Sequence, residues 1–589
     1  MKRSEVDKKY IWDLESIYAT DDLWEADFKV LQEKIKVIGE YKGKLSDKAT
    51  LLELLRESDE TDLLLEKVYS YARMRSDQNV ADNTYAALTD RAQGVIAEYS
   101  AIASFVNPEL SAQEESYIKS LIADPDFADY NYMLEGVLRR KKYILSEKEE
   151  RILSMAGSPL RQFQATFGKI NNVEVDLGKI NVDGEEIKLT HGLYSKMLQH
   201  PDQEVRKAAF ETVYAGYERL INTITSVYAG SVKSDVFNAR VRGFEDCMSR
   251  AMFNEHVPTA VYDNLIAAVS ENLTYVHDYV AYRKQALNLS ELNMYDMYVP
   301  IVEGAELSLP FEDAFKLVKE GLSVLGDEYV GLLQRAKDER WMDVYETENK
   351  RSGAYSWGCY ATKPFVLLNY SATTHDVFTL AHELGHSMHS WYSCKTQPYS
   401  KSGYAIFVAE VASTVNEVLL LKHLLKTVTD KKMRKFLLSY YLDMFRTTLF
   451  RQTMFAEFEK ISHDMEQNGQ PLTSTSLSNA YYELNKKYYG PAVKHNEQIA
   501  REWARIPHFY NAFYVYKYAT GITSAVNIAS AILEDAKNIE SYKKFLSAGG
   551  SDSPYEILKI AGVDLATKAP FERAMKEFKE TLEMLKNED

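Results

Sequence analysis

The amino-acid sequence predicts a mainly α-helical protein, in which a helical N-terminal region packs on a larger helical region carrying a small β-sheet. Three observations predict this. Chain breakers are sparse, with 26 Gly and 14 Pro among 589 residues, each below its usual share of roughly 7% and 5%. Apolar residues recur three and four apart through most of the chain, the period of a helix with one buried face. Only two short stretches change to a strand-like pattern. At 46% hydrophobic and 26% charged, the composition is that of a folded globular chain, which excludes disordered and collagen-like classes.

Residues 1–200 read as amphipathic helices, clearest in LLELLRESDETDLLLEKVYSYARMRSD from Leu51 onward. Near their end, GKINNVEVDLGKINVDGEEIKLT alternates apolar and polar residues around Asp183-Gly184, the pattern of a hairpin with a two-residue turn. The helical period resumes from Pro201 to about Arg340, broken by a loop over Pro300 to Pro310. Between Gly353 and Tyr370 the chain becomes aromatic and ends in the strand-like run Phe365 to Tyr370. From Thr374 to the end it is largely helical, with loops expected at Cys394–Gly403, Asn468–Thr475 and Ser547–Pro554. No linker rich in Pro, Gly or Ser divides it. The expected organisation is a helical region with a hairpin over 1–200 and a catalytic region over 201–589.

The net charge of −16 repels phosphate backbones and anionic lipid, so nucleic acid and membrane are not expected partners. Cys247, Cys359 and Cys394 lie far apart and form no disulfide framework. The N-terminal MKRSEVDKKYIWDLESIY lacks the apolar run of a secretion signal. A cytoplasmic location is expected on these grounds. The most membrane-like stretch, Ala405 to Leu425, is interrupted by Glu410, Asn416, Glu417 and Lys422, and so reads as a buried helix.

The chemistry lies in residues 371–390, SATTHDVFTLAHELGHSMHS. Thr373 or Thr374 can cap a helix with Asp376 in its first turn. On that helix His382 and His386 are four apart, so both imidazoles leave one side and can hold one ion. Glu383 points about 100° away from His382, toward a water beside the ion. This is the H-E-x-x-H pattern of zinc peptidases. His375 and His389 share the histidine face; His386 with His389 is the second-ranked pair, since no Glu separates them.

Zinc held by two imidazoles needs a third protein ligand. No Asp or Glu occurs between Ser387 and Ala409, so Glu410 is the first carboxylate downstream, inside an apolar helix where an unpaired charge is costly. Glu417, seven residues on, lies on nearly the same face and can support a ligand histidine or pair with Lys422. The run IPHFYNAFYVYKYATG, residues 506–521, offers His508 with Tyr510, Tyr514 and Tyr516 either as core packing or as donors to a developing oxyanion. Gly353, Ala354 and Tyr355, or the strand beginning at Phe365, can pair with an extended peptide.

HELGHSMHS, the glutamate 24 positions beyond His386 in FVAEVASTVNE, IPHFYNAFYVYKYATG and the N-terminal YIWDLESIY together resemble oligoendopeptidase F, a bacterial family related to thimet oligopeptidase. The resemblance implies a mostly helical fold enclosing a deep active-site channel, one zinc ion, and cleavage of short oligopeptides at internal bonds. It makes His382, His386 and Glu410 the ligands and Glu383 the general base acting on a zinc-activated water. It also places His508 with the nearby tyrosines at the oxyanion, leaving Tyr510, Tyr514 and Tyr516 as alternatives. A helical zinc carboxypeptidase and a non-catalytic peptide-binding scaffold are the competing functions.

Overall fold

The computed structural model describes residues 1–588. Helices make up 71% of the chain, as its period predicts, and the strands form two small sheets. The chain divides into two compact units, each assembled from separate segments. The first comprises Met1–Lys142, Glu306–Leu424 and Ile528–Gly562; the second comprises Tyr143–Ala305, Leu425–Asn527 and the chain from Val563 onward. The sequential division at residue 200 is a separate proposal about where the catalytic region begins.

In the first unit, β3 (Met342–Asp343), β4 (Tyr355–Trp357) and β5 (Phe365–Leu367) form a sheet of order β3-β5-β4, with β3 parallel and β4 antiparallel to β5. All three residues of β5 are buried, which explains its uninterrupted apolar sequence. Phe365 and Leu367 belong to one apolar cluster with Trp12, Trp24, Phe28 and Leu54 of the N-terminal segment. The strand-like run expected to Tyr370 keeps its pairing past Leu367 only through alternate amides, Leu368 N–H to Asp343 O at 2.8 Å and Tyr370 N–H to Val344 O at 2.9 Å.

The helix Thr374–Thr396 follows the sheet. It runs beyond Cys394, into the loop expected at Cys394–Gly403, and the short helix Tyr399–Ser402 occupies four further residues of that stretch. Ser393 Oγ donates to the Ser402 carbonyl at 2.5 Å, so a tertiary contact holds polar residues that read as loop.

The second unit contains the hairpin of β1 (Lys179–Val182) and β2 (Glu185–Lys188), paired from Lys179↔Lys188 to Val182↔Glu185. Asp183 and Gly184 turn it with φ of +53° and +87°, the left-handed pair that a tight hairpin needs and that Asp-Gly supplies. The remainder is helical. Tyrosines contribute to its core: Tyr228 and Tyr262 are buried, with hydroxyls bonded to Ser462 Oγ and the Ala456 carbonyl, each at 2.7 Å. Such rings fill a core while satisfying their polar ends. Among the described residues, no helix is long and apolar enough to cross a membrane.

Candidate active site

The helix Thr374–Thr396 starts on a reciprocal cap. Thr373 Oγ1 accepts the Asp376 N–H at 3.2 Å, and Asp376 Oδ2 accepts the Thr373 N–H at 3.0 Å, satisfying amides that a helix start leaves open. Helix Ile406–Thr427 packs against it at Gly385. A Cβ on Gly385 would stand 2.6 Å from Ser413 Cα and 2.8 Å from the Ala412 carbonyl oxygen, so only glycine admits this approach. Asn416 Nδ2 donates to the Ala381 carbonyl at 3.0 Å, and Asn416 Oδ1 accepts the Tyr329 hydroxyl at 2.9 Å.

That approach brings Glu410 to the histidines. His382 Nε2 and His386 Nε2 lie 3.2 Å apart, and Glu410 Oε2 is 3.4 Å from the first and 3.7 Å from the second. Tetrahedral zinc with bonds of about 2.0–2.2 Å places neighbouring donors about 3.3–3.6 Å apart, so the three edges fit one face of its coordination shell. Among the described residues, His382, His386 and Glu410 are the metal-competent side chains that converge in this way. Burial opposes charge on His382, but Glu410 and Glu417 hold its pKa up to about 10, while burial and the charge of His382 push His386 down to about 4. Lone pairs from two imidazoles and a carboxylate thus face one point, which suits a divalent cation better than one shared proton.

Glu417 Oε1 accepts a hydrogen bond from His382 Nδ1 at 2.5 Å, which fixes the ring and leaves Nε2 for a metal. The two other histidines of the helix stand apart from this group: His375 is exposed, whereas His389 is buried, stacks on Tyr404 with ring centres 3.7 Å apart, and is pushed by burial down to about 3.

Glu383 is 7% exposed, and burial raises its carboxyl to about 7, which suits proton transfer near neutrality. Together with His382, His386 and Glu410 it lines a cavity of about 610 Å³ whose lining also includes Ala354 and Tyr355. On β4 the side chains alternate. Tyr355 and Trp357 turn to the helix Lys48–Gln78, bonding Asp77 at 2.8 Å and Ser70 at 2.9 Å, while Ser356 Oγ lies 2.9 Å from Ser387 Oγ on the histidine helix. β4 is a sheet edge, the place where an extended peptide can add as a strand, and its Ser356 N–H is turned to the Glu383 carboxylate. Gly353, exposed with φ of +85°, leads into it.

His508 and the candidate tyrosines belong to the second unit. His508 is exposed on the turn Pro507–Tyr510, its ring stacked 6.1 Å from Tyr514 and edge-on 6.0 Å from Tyr518. Partial desolvation of the ring, together with the Arg451 charge, lowers its pKa. Tyr514 is half-buried, Tyr510 stacks on Phe167 at 4.3 Å, and Tyr516 is fully buried against Tyr262 at 5.2 Å. Tyr514 is therefore the candidate tyrosine that accompanies His508 at the surface of its unit.

Sequence reasoning overlooked Glu459 and Phe513. Phe513 has a left-handed φ of +58°, rare for a bulky residue, and its N–H donates to the fully buried Glu459 Oε1 at 3.1 Å. This contact fixes the bend between His508 and Tyr514. The one available signal was an acid on the apolar face of the helix Arg451–Gln467, beside Phe455 and Phe458.

Comparison with known proteins adds to this geometry. Residues 196–577 match the family model described as peptidase family M3, and residues 109–176 match the model described as oligopeptidase F. The chain is 41% identical over 585 residues to oligopeptidase PepF of Bacillus subtilis (strain 168), covering 99% of this chain and 87% of that protein. It is 39% identical over 589 residues to group B oligopeptidase PepB of Streptococcus agalactiae, covering 99% and 98%. The crystal structure of oligoendopeptidase-F from Enterococcus faecium superposes with a TM-score of 0.74 at 32% identity, over 96% of this chain and 99% of that chain.

Proposed function

Since the chain belongs to peptidase family M3, we propose that it is a zinc-dependent oligoendopeptidase that hydrolyses internal bonds of short oligopeptides, with His382, His386 and Glu410 as ligands and Glu383 as general base. The convergence of the three donors beside the buried Glu383, on one cavity, carries this reading. The names of its relatives, oligopeptidases and an oligoendopeptidase, support the substrate class.

Zinc held there would supply Lewis-acid polarisation at an open coordination position. The protein's own groups perform the rest. Glu383 takes the proton of the attacking water and returns it to the nitrogen of the leaving amine. Glu417 keeps the His382 ring turned toward the ligand point. The segment Gly353, Ala354 and Tyr355, which leads into the edge strand β4, aligns an extended substrate by backbone hydrogen bonds, which selects unfolded peptides regardless of sequence. His508 with Tyr514 is proposed to stabilise the oxyanion, on the chemistry of their N–H and O–H donors and the resemblance of their segment.

A carboxypeptidase would need a cation to hold the terminal carboxylate of its substrate. Mass spectrometry of products from peptides blocked at both ends separates the two functions. Internal cuts are expected; resistance of every blocked peptide, with stepwise C-terminal trimming of free ones, would replace this reading by the carboxypeptidase.

A further inference from the structure

The second unit contains a cavity of about 180 Å³ lined by Arg451, Arg505, Glu502 and the rings of Tyr194, Tyr214 and Tyr298. Its charges do not balance. Glu502 is already engaged, accepting Arg451 Nη2 at 2.7 Å and the Tyr481 hydroxyl at 2.5 Å. Asp443 is engaged as well, by Arg446 Nε at 2.8 Å and Arg283 Nη1 at 3.4 Å. Arg446 is 2% exposed, yet its Nη1 has no hydrogen-bond partner; its guanidinium lies 4.9 Å from the centre of the Tyr298 ring.

Arg505 is the residue left over. Its buried Nε has no hydrogen-bond partner, and among the described residues no carboxylate lies within ion-pair distance of it. Glu502 acts on it only from beyond that distance, and the Tyr194 ring lies 5.3 Å from guanidinium carbon to ring centre. On the lining of the cavity, two guanidinium groups thus face one carboxylate, Glu502. Arg505 is half-buried; arginine cannot shed its proton to escape burial as lysine or histidine can, so a poorly paired guanidinium there is unfavourable. An anion resolves the imbalance. The cavity is smaller than the roughly 300 Å³ at which pockets for organic ligands begin, so the occupant is small, and tyrosine hydroxyls offer it further donors.

We propose that this cavity binds a small inorganic anion of halide size through Arg505 and Arg451, and that the occupant orders the segment leading into His508. The helical turn Glu497–Arg505 ends on the anion-facing arginine, and the turn Pro507–Tyr510 that carries His508 follows directly. The site itself is independent of the proposed function; only its influence on turnover rests on the role assigned to His508.

Bromide soaked into crystals of the full chain should give an anomalous peak within hydrogen-bond distance of the Arg505 guanidinium. Bromide confined to the outer surface would overturn the site. In solution, chloride at constant ionic strength should raise Tm above that in gluconate, whose anion is too large to enter, and Arg505→Met should abolish the difference. Equal Tm for the wild-type protein in both salts would likewise refute it. With the zinc-loaded enzyme, replacing chloride by gluconate should lower kcat by roughly 5-fold or more, the lower end of site-to-site coupling, with KM little changed. An unchanged kcat would overturn the link to His508, while the anomalous peak and Tm report on the site without catalysis.

Discussion

Replacing Gly385 by alanine tests whether the two central helices build the ligand triangle. The added methyl would stand 2.6 Å from Ser413 Cα and 2.8 Å from the Ala412 carbonyl, against an ordinary carbon contact of about 3.5–4.0 Å. Both neighbours are backbone, so the strain cannot be relieved by turning a side chain; the helices must part by about 1 Å. Overpacking of this kind costs about 1–3 kcal/mol, and the upper end applies where backbone must move. The displacement has a chemical consequence as well. Glu410 sits 3.4 and 3.7 Å from the histidine nitrogens, and zinc sites tolerate distance errors of only about 0.2 Å, so the same shift carries Glu410 out of the triangle. Gly385→Ala should therefore lower Tm by several degrees and weaken zinc at least about tenfold in chelator competition, matching the scale of losses when supporting groups are removed. A variant that keeps wild-type zinc affinity and Tm would show that helix proximity at Gly385 does not set the ligand geometry.

Glu410→Ala should weaken zinc more than Glu417→Ala, whose loss is expected at about 10- to 100-fold; the reverse order in chelator competition would exchange their roles. Removing the donor at His508 or Tyr514 should lower kcat by about 10²-fold with zinc content and KM little altered in steady-state assays, whereas values within a few-fold of wild type for His508, Tyr510, Tyr514 and Tyr516 alike would make the cluster packing. Burial alone would raise the Glu502 carboxyl, but Arg451 and Arg505 hold it below its ordinary 4.5. The charged form therefore stabilises the fold above that pH, and the contribution is lost as acid drives the pH down through the folded value. Denaturant unfolding should lose stability below about pH 4.5, and Glu502→Gln should flatten that part of the profile; an unchanged slope would contradict the assignment.

Much of this was legible because the signals are local. Helix periodicity, the Asp-Gly turn and the Thr373–Asp376 cap each act within a few residues, and His382 with His386 needs only one helical turn. Glu410 and Glu417 were legible because an acid-free stretch and a spacing of seven left few choices. The features that escaped are tertiary. The polar stretch around Ser393 is helical because Ser402 answers its hydroxyl, and Glu459 matters only because Phe513 is folded onto it. Tyr510, Tyr514 and Tyr516, alike in sequence, differ in burial, which no local pattern encodes. The division into two units joins segments hundreds of residues apart, and the pairing of Arg451 with Glu502 spans 51 positions.

The most direct test of the central claim is zinc content and turnover measured together on Glu383→Gln. The substitution preserves shape and removes only the ability to take a proton. The account predicts about one zinc per chain, as in the wild type, with kcat lowered by at least about 10²-fold. Near-normal turnover with zinc retained would contradict it.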